Sequence, residues 1–258
     1  MQAPRHRLER RHGGAVWHLE IASAPGNVLD AELCAELAQA VREVEAEPKA
    51  RLLILEGAGS NFSFGASVAE HRAEEAPKML RAMRELLLAV HGSPVPVLAL
   101  VRGYCLGGGF ELALCCSWIA AAEEARFGLP EITLAALPAF ALALLPGRVA
   151  PAVAEDWLLS GRHFSAAEAE AAGLVRVALP ALELESWLSS FLAREILPRS
   201  APVLRLLRSA VREERQRALS EAFAREERRY LEALLPLADA SEGVEAFLAR
   251  REPRFRHA

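Results

Sequence analysis

The chain has 258 residues, 52% of them apolar and 25% charged, with a net charge of -4. That length buries one substantial core with room for a small appendage, and the composition is that of a folded protein rather than a disordered one. The weakly acidic balance carries no electrostatic footprint for nucleic acid or a membrane surface, so any phosphate-bearing ligand has to be held locally.

The opening MQAPRHRLERR is basic but leads into no apolar segment and no small-residue cleavage site, which speaks against a secretory signal. The longest apolar run, Leu134 to Leu145, is too short to span a bilayer and is interrupted by Pro138. A cytoplasmic protein is expected. Cys34, Cys105, Cys115 and Cys116 lack metal-ligand spacing and read as reduced, buried thiols. His6, His12 and His18 recur every six residues, but the first two read as part of a basic tail and the last as part of a strand, so no metal site is expected there.

Ala15 to Ala22 alternates as a half-buried strand does, and Pro25-Gly26-Asn27 breaks it. Asp30 then N-caps a helix running to about Glu47, with Leu33, Leu37, Ala40, Val41 and Val44 at helical spacing. Arg51 to Glu56 (RLLILE) is a short buried strand, followed by the irregular loop GAGSNFSFGAS, Gly57 to Ser67. The pattern repeats: a helix from about Pro77 to His91, a strand from Val97 to Val101, a helix opened by Gly107-Gly108-Gly109, and a strand from Trp118 to Ala122. Such alternation predicts an α/β fold, a parallel sheet covered by helices, with ligands bound at the carboxyl ends of the strands.

From about Ala150 the character changes to helical segments, Pro151 to Ser160 and Ala166 to Ala172. Pro198 and Pro202 then introduce a run rich in arginine and glutamate, Val203 to Leu235. Its broken apolar stripe of Leu204, Leu207, Val211, Ala218, Phe223, Leu231 and Leu234 suits either a helix lying on its own core or one packed on a neighbouring subunit.

The chemistry concentrates around two glutamates. A glycine triplet that opens a helix exposes backbone N–H groups to an anion, and Glu111, one turn later in GYCLGGGFEL, lies on the same face. The run behind it, Leu112 to Ala122, is almost wholly apolar, and a carboxylate buried there is costly unless it works. Glu131, in FGLPEI, sits among Leu129, Pro130, Ile132 and Leu134, which imply partial burial. Two carboxyls in one desolvated cleft push their pKa values apart, so one donates a proton while the other accepts one. Free amides beside such a pair suit an acyl group whose carbonyl oxygen gains charge. A nucleotide cradle fits poorly, because no GxGxxG follows a strand and no GK[ST] follows the triplet.

Taken together and in order, these segments resemble the crotonase, or enoyl-CoA hydratase/isomerase, superfamily over nearly the whole chain. PGNVL (Pro25 to Leu29) is similar to its adenine-side segment and NFSFGAS (Asn61 to Ser67) to its first oxyanion loop. RGYCLGGGFEL is similar to the second oxyanion loop with its glutamate, FGLPEI to the second glutamate motif, and SGRHFSAAEAEAAGLV (Ser160 to Val175) to a downstream helical signature. The resemblance implies an oxyanion hole from the backbone N–H groups of Ala66 and Gly108, with Glu111 and Glu131 activating water and delivering a proton. It further implies substrate or coenzyme A contacts at Asn27, Val28, Phe64, Ser67, Gly107, Pro130 and Leu137. The implied fold is the α/β crotonase (ClpP/crotonase-like) spiral of ββα repeats over residues 1–198, with a helical oligomerisation region over 199–258 that builds homotrimers, often paired into hexamers. Acyl-CoA thioesters are the implied substrates, with no metal and no separate cofactor, since coenzyme A is part of the substrate.

Two departures from the common pattern stand out. Ser67 replaces an aspartate after the oxyanion alanine, and LAALPAFALALLP (Leu134 to Pro146) replaces a glycine-rich stretch, which is expected to reshape the acyl pocket with apolar bulk. With FSFGASVAEH (Phe62 to His71) and the ending Tyr230 to Arg251, they resemble the branch of the family that adds water to a cyclic conjugated dienoyl-CoA in anaerobic aromatic degradation. A generic 2-enoyl-CoA hydratase and a non-catalytic, oligomeric coenzyme A binder are the alternatives.

Overall fold

The computed structural model describes residues 4–257. Its strands are β1 (His6–Arg11), β2 (Val16–Ile21), β3 (Leu52–Gly57), β4 (Val97–Val101), β5 (Tyr104–Leu106), β6 (Trp118–Ala122), β7 (Arg126–Gly128), β8 (His163–Ser165) and β9 (Val177–Leu179). The α-helices are α1 (Ala31–Ala46), α2 (Ala76–Gly92), α3 (Gly108–Cys115), α4 (Ala141–Leu144), α5 (Pro151–Ser160), α6 (Ala166–Ala171), α7 (Ala181–Phe191), α8 (Ala201–Arg229) and α9 (Ala238–Leu248).

The larger sheet has the order β1-β2-β3-β4-β6-β9, parallel except for the edge pair β1-β2. Side chains alternate across it, so Leu53 and Leu55 of β3 enter the main core with Leu33, Leu37 and Leu87, whereas Leu52 and Ile54 meet Leu184, Leu188 and Phe191 of α7 and its extension. Both faces are therefore covered at the centre of the sheet, which is why β3, β4 and β6 are nearly continuous apolar runs rather than alternating ones. Asp30 caps α1 as expected, its carboxylate accepting from Leu33 N at 2.9 Å.

Three features differ from the sequence-based expectation. The basic opening is not a tail: His6 to Arg11 pairs antiparallel with β2, and its charged side chains are tolerated because an edge strand turns one face to water. A second sheet, β5-β7-β8, consists of strands of three residues each, too short to leave a period-2 signature. Within the long helix α8, Leu219 rather than Ala218 faces the core, and the two halves behave differently. Phe223 is buried against this chain, while Val203, Leu206, Leu207 and Val211 are 53–76% exposed. No helix among the described residues is long and apolar enough to cross a membrane.

A second function of α8 is electrostatic. Arg208 reaches Val90 O near the end of α2, Arg212 reaches Cys116 O after α3, and Arg215 reaches Leu144 O at the end of α4. Arg148 adds Nη1 bonds to Leu114 O and Cys116 O at 3.0 and 2.9 Å. No carboxylate pairs with these four guanidiniums among the described residues; the carbonyls and negative dipole ends of three converging helices stand in for counter-ions. Burial and mutual repulsion hold the Arg148, Arg208 and Arg212 pKa values down. Arg148→Met, which keeps the apolar stem and removes the donors, is expected to cost about 1–2 kcal/mol because two buried carbonyls lose a charged partner. A thermal midpoint equal to that of the parent protein would show that these carbonyls are satisfied without Arg148.

Candidate active site

The site begins where β5 turns into α3. Gly107 has φ +48° and donates to Gly128 O at 2.9 Å, so the chain swings into a helix whose first intrahelical bond runs from Glu111 N to Gly107 O. Gly108, at the first helical position, has no preceding turn to accept its N–H. Facing it is the loop before residue 67, held by an isolated parallel bridge: Leu29 N donates to Gly65 O at 2.9 Å and Ser67 N to Leu29 O at 2.8 Å. Because Gly65 and Ser67 turn their groups toward Leu29, the N–H of Ala66 between them faces the other way. A methyl group placed on Gly108 would lie 3.1 Å from Ala66 N, so the two amides flank one spot. Neither donates to any described protein group.

Glu111 is 4% exposed and its Oε1 accepts from Phe140 N and Ala141 N, at 2.9 and 2.8 Å. Burial raises its pKa, and these two amides only partly offset the rise. Glu131 lies in the 3₁₀ turn Pro130–Leu134, with Oε1 so close to Gly107 that a Cβ there would sit 2.6 Å away. The turn is braced by Thr133 Oγ1 donating to Pro130 O at 2.7 Å, and by α9, whose Gly243 approaches Leu134 O too closely for any side chain. As a residue Glu131 is half-buried, yet its Oε2 is sealed and has no hydrogen-bond partner. Burial, and then the charge on Glu111, push its pKa up. Like charges in a low-dielectric site resist ionising together, so the pair tends to hold one proton between two carboxyls. Two carboxyls whose environments could divide acid and base roles thus lie near two unpaired amide donors.

A cavity of about 170 Å³ opens onto these groups, with Phe64, Ala66, Gly107, Pro130 and Glu131 in its wall. Those five were expected at the site from the sequence; Gly108, which adjoins Ala66, and Glu111 were expected too but are not part of the cavity wall. The other expected residues are placed differently. Asn27 is buried and spends its Nδ2 on Ala58 O and Asn61 O, at 3.0 and 2.8 Å, tying two loops together, while neighbouring Val28 is half-buried. Ser67 uses backbone groups only, accepting from His71 Nδ1 at 2.8 Å through its carbonyl. Leu137 packs on the main core.

The apolar segment Leu134 to Pro146 meets the pocket at one end only. Only Leu134 and Ala136 of it line the cavity; Phe140, Ala141, Leu144 and Leu145 are buried in the core, Phe140 edge-on to Phe223 of α8 at 4.9 Å. The segment's contribution to the site is its backbone, since anchoring Phe140 in the core delivers the amides that hold Glu111. Sequence reasoning also missed Val244 and Phe247 of α9, and His71, all in the cavity wall. An isolated histidine in a short turn and a helix more than a hundred residues downstream carry no local mark of a shared site.

Comparison with known proteins agrees with this geometry. Residues 12–258 match the family model described as enoyl-CoA hydratase/isomerase. The cyclohexa-1,5-dienecarbonyl-CoA hydratase of Thauera aromatica is 38% identical, over 95% of this chain and 93% of that protein. A probable enoyl-CoA hydratase of Rhizobium meliloti is 36% identical over 90% of both chains. Among solved structures, an enoyl-CoA hydratase from Mycobacterium avium subsp. paratuberculosis superposes with a TM-score of 0.86 at 28% identity, over 98% of this chain and 99% of its own. The spiral α/β architecture, the paired carboxyls beside free amides and these relatives lead to one conclusion: the chain belongs to the enoyl-CoA hydratase/isomerase family, as a hydratase enzyme.

Proposed function

We propose that the protein hydrates a cyclic conjugated dienoyl-CoA, converting cyclohexa-1,5-diene-1-carbonyl-CoA to 6-hydroxycyclohex-1-ene-1-carbonyl-CoA. The observation that carries this reading is a cavity of about 170 Å³ lined by Ala66 and Glu131, with the Gly108 amide adjoining Ala66 and the Glu111 carboxyl close enough to raise the pKa of Glu131. A cavity of about 150 Å³ holds benzene, so one six-membered ring is a suitable occupant. The Thauera relative, named for the same reaction, supports the choice of ring.

In this mechanism the thioester oxygen accepts from Ala66 N–H and Gly108 N–H. The ionised glutamate takes a proton from water, whose oxygen attacks ring carbon 2, β to the thioester. The displaced electron pair enters a dienolate whose negative oxygen the amides stabilise. The protonated glutamate then delivers its proton to ring carbon 5, leaving the remaining double bond between carbons 1 and 6. Water has been added, and the proton inventory of the pair is restored. No metal or separate cofactor takes part. A generic 2-enoyl-CoA hydratase would use the same groups but protonate the α carbon. A non-catalytic binder is disfavoured, since buried like charges without a task only destabilise the fold.

The uncovered face of Val203, Leu206, Leu207 and Val211 supports assembly through residues 199–258 into a homotrimer or a pair of trimers. Coenzyme A thioester chemistry suits a cytoplasmic enzyme.

Steady-state assay with the cyclic dienoyl-CoA and with crotonyl-CoA tests the substrate: rapid hydration of crotonyl-CoA without turnover of the dienoyl thioester would reject the proposal. Glu111→Gln and Glu131→Gln are each expected to lower kcat by about 10²-fold or more, as loss of a positioned acid or base does; a near-parental rate in either would remove that residue from the mechanism. Stability supplies a check that needs no substrate. The folded-state pKa of Glu131 is raised above its unfolded value, so its favourable contribution is fully present below the ordinary carboxylate range and is lost as pH rises through the raised value. Glu131→Gln should therefore gain thermal midpoint over the parent protein progressively from pH 5 to pH 9 as the buried charge would otherwise form. A parent protein that is the more stable of the two at alkaline pH would contradict the sealed, unpaired carboxyl.

A further inference from the structure

The acyl cavity has a neighbour that the hydration scheme leaves unused. A second cavity, of about 330 Å³, adjoins it, and His71 and Val244 belong to the walls of both. Beyond these two side chains, half-buried Leu235 and buried Ala240 give the second cavity an apolar wall. Exposed Arg72, Ser241 and Glu245 give it a polar one. It is the larger of the two and holds none of the groups assigned to hydration.

Both members of this partition are held in place. His71 ends the 3₁₀ turn Val68–His71, and its Nδ1 donates to Ser67 O at 2.8 Å, since a carbonyl only accepts. The buried ring of Tyr230 stands edge-on to the imidazole, with centroids 6.2 Å apart. Burial lowers the His71 pKa and keeps the ring neutral, so it meets an apolar acyl group with no charge to desolvate. Val244 is 5% exposed on α9, where a β-branched side chain has one strongly preferred rotamer. Helix α9 is itself fixed at this level: Gly243 lies against Leu134 O, and Glu245 accepts from Arg72 Nε at 2.8 Å. Arg72 directly follows His71 and Glu245 directly follows Val244, so one ion pair fastens the two halves of the partition together. Such an exposed pair adds little to stability, and its effect here is geometric.

We propose that His71 and Val244 are specificity-determining residues that close the acyl cavity against its larger neighbour and so restrict the acyl group to a compact ring or a short chain. The inference rests on the reading of the smaller cavity as the acyl site and does not depend on which thioester is hydrated. Each methylene group taken from water into an apolar cavity tightens binding by about fourfold. A chain that outgrows the smaller cavity meets the partition, so its further methylenes stay in water or force the wall apart, and they gain nothing. Removing either side chain joins the cavities and lets the chain run on past Leu235 and Ala240.

Saturated acyl-CoA thioesters, which cannot be hydrated, read the partition directly in calorimetric titrations. In the parent protein octanoyl-CoA is expected to bind within about threefold of butyryl-CoA, less than one buried methylene would give. In Val244→Ala and, separately, in His71→Ala, octanoyl-CoA should become the tighter ligand by about tenfold or more, as two or more further methylenes leave water. Two independent variants keep the test decisive if one folds poorly. In the Val244→Ala background, Ser241→Trp places bulk in the second cavity and should abolish the gain, an outcome that general loosening of the cleft does not produce. A parent protein that already binds octanoyl-CoA about tenfold tighter, an unchanged ratio in both variants, or a gain that survives Ser241→Trp would overturn the proposal. Failure of butyryl-CoA to bind the parent protein would instead reject the smaller cavity as the acyl site, and the partition with it.

Discussion

Helix α3 is eight residues long and buried throughout, and the polarity along its axis is the constraint around which the site is built. At its N-terminus the Gly108 amide is free and joins that of Ala66; in its first turn stands Glu111; past its C-terminus Arg148 and Arg212 bind the last carbonyls. At 1.5 Å per residue the helix is about 12 Å long. Charges at that range still matter in a low-dielectric interior. The arginines that satisfy its negative end therefore also leave its positive end undiminished where a thioester oxygen would gain charge. A single buried dipole thus ties the long C-terminal helix, which carries Arg212, to a catalytic cleft on the far side of the core.

The glutamates show the usual tension between stability and chemistry. Glu111 is anchored by two amides from a segment whose side chains lock into the core, so its position is rigid and its charge partly compensated. Glu131 has no such compensation at Oε2 and rides on a short turn backed by α9. Their environments differ enough to separate an acid from a base, which a symmetrical pair would not achieve. His71 stands in the wall of the same cavity, its Nδ1 turned to Ser67 O.

For a ring substrate the geometry of proton delivery is demanding. Attack at carbon 2 and protonation at carbon 5 act on opposite corners of one planar ring, whereas a linear enoyl group receives water and proton on adjacent carbons. A ring taken up by the proposed reaction would meet a wall that includes Leu134, Ala136, Val244 and Phe247, and would need one orientation relative to both carboxyls. Orientation of this kind, more than the identity of the acid and base, separates related hydrations.

Local pattern was sufficient for much of this protein. The apolar runs of β2, β3, β4 and β6, the Asp30 cap, the glycine triplet and the two glutamate segments were legible because each depends on residues close in the chain: period, capping chemistry and positive-φ glycine. The edge strand His6–Arg11 and the three-residue strands of the second sheet were not, since neither is long or apolar enough to show a period. Resemblance of ordered motifs named the family, and with it the oxyanion-hole amides of Ala66 and Gly108. Only the tertiary structure decided that Phe140 and Ala141 hold Glu111, that Asn27 braces loops, that arginines from α8 cap three helices, and that His71 shares a cavity wall with Glu131. Those contacts join segments from about thirty to more than a hundred residues apart, and such pairings are set by the packing of the whole core, for which no local run of sequence carries a signal.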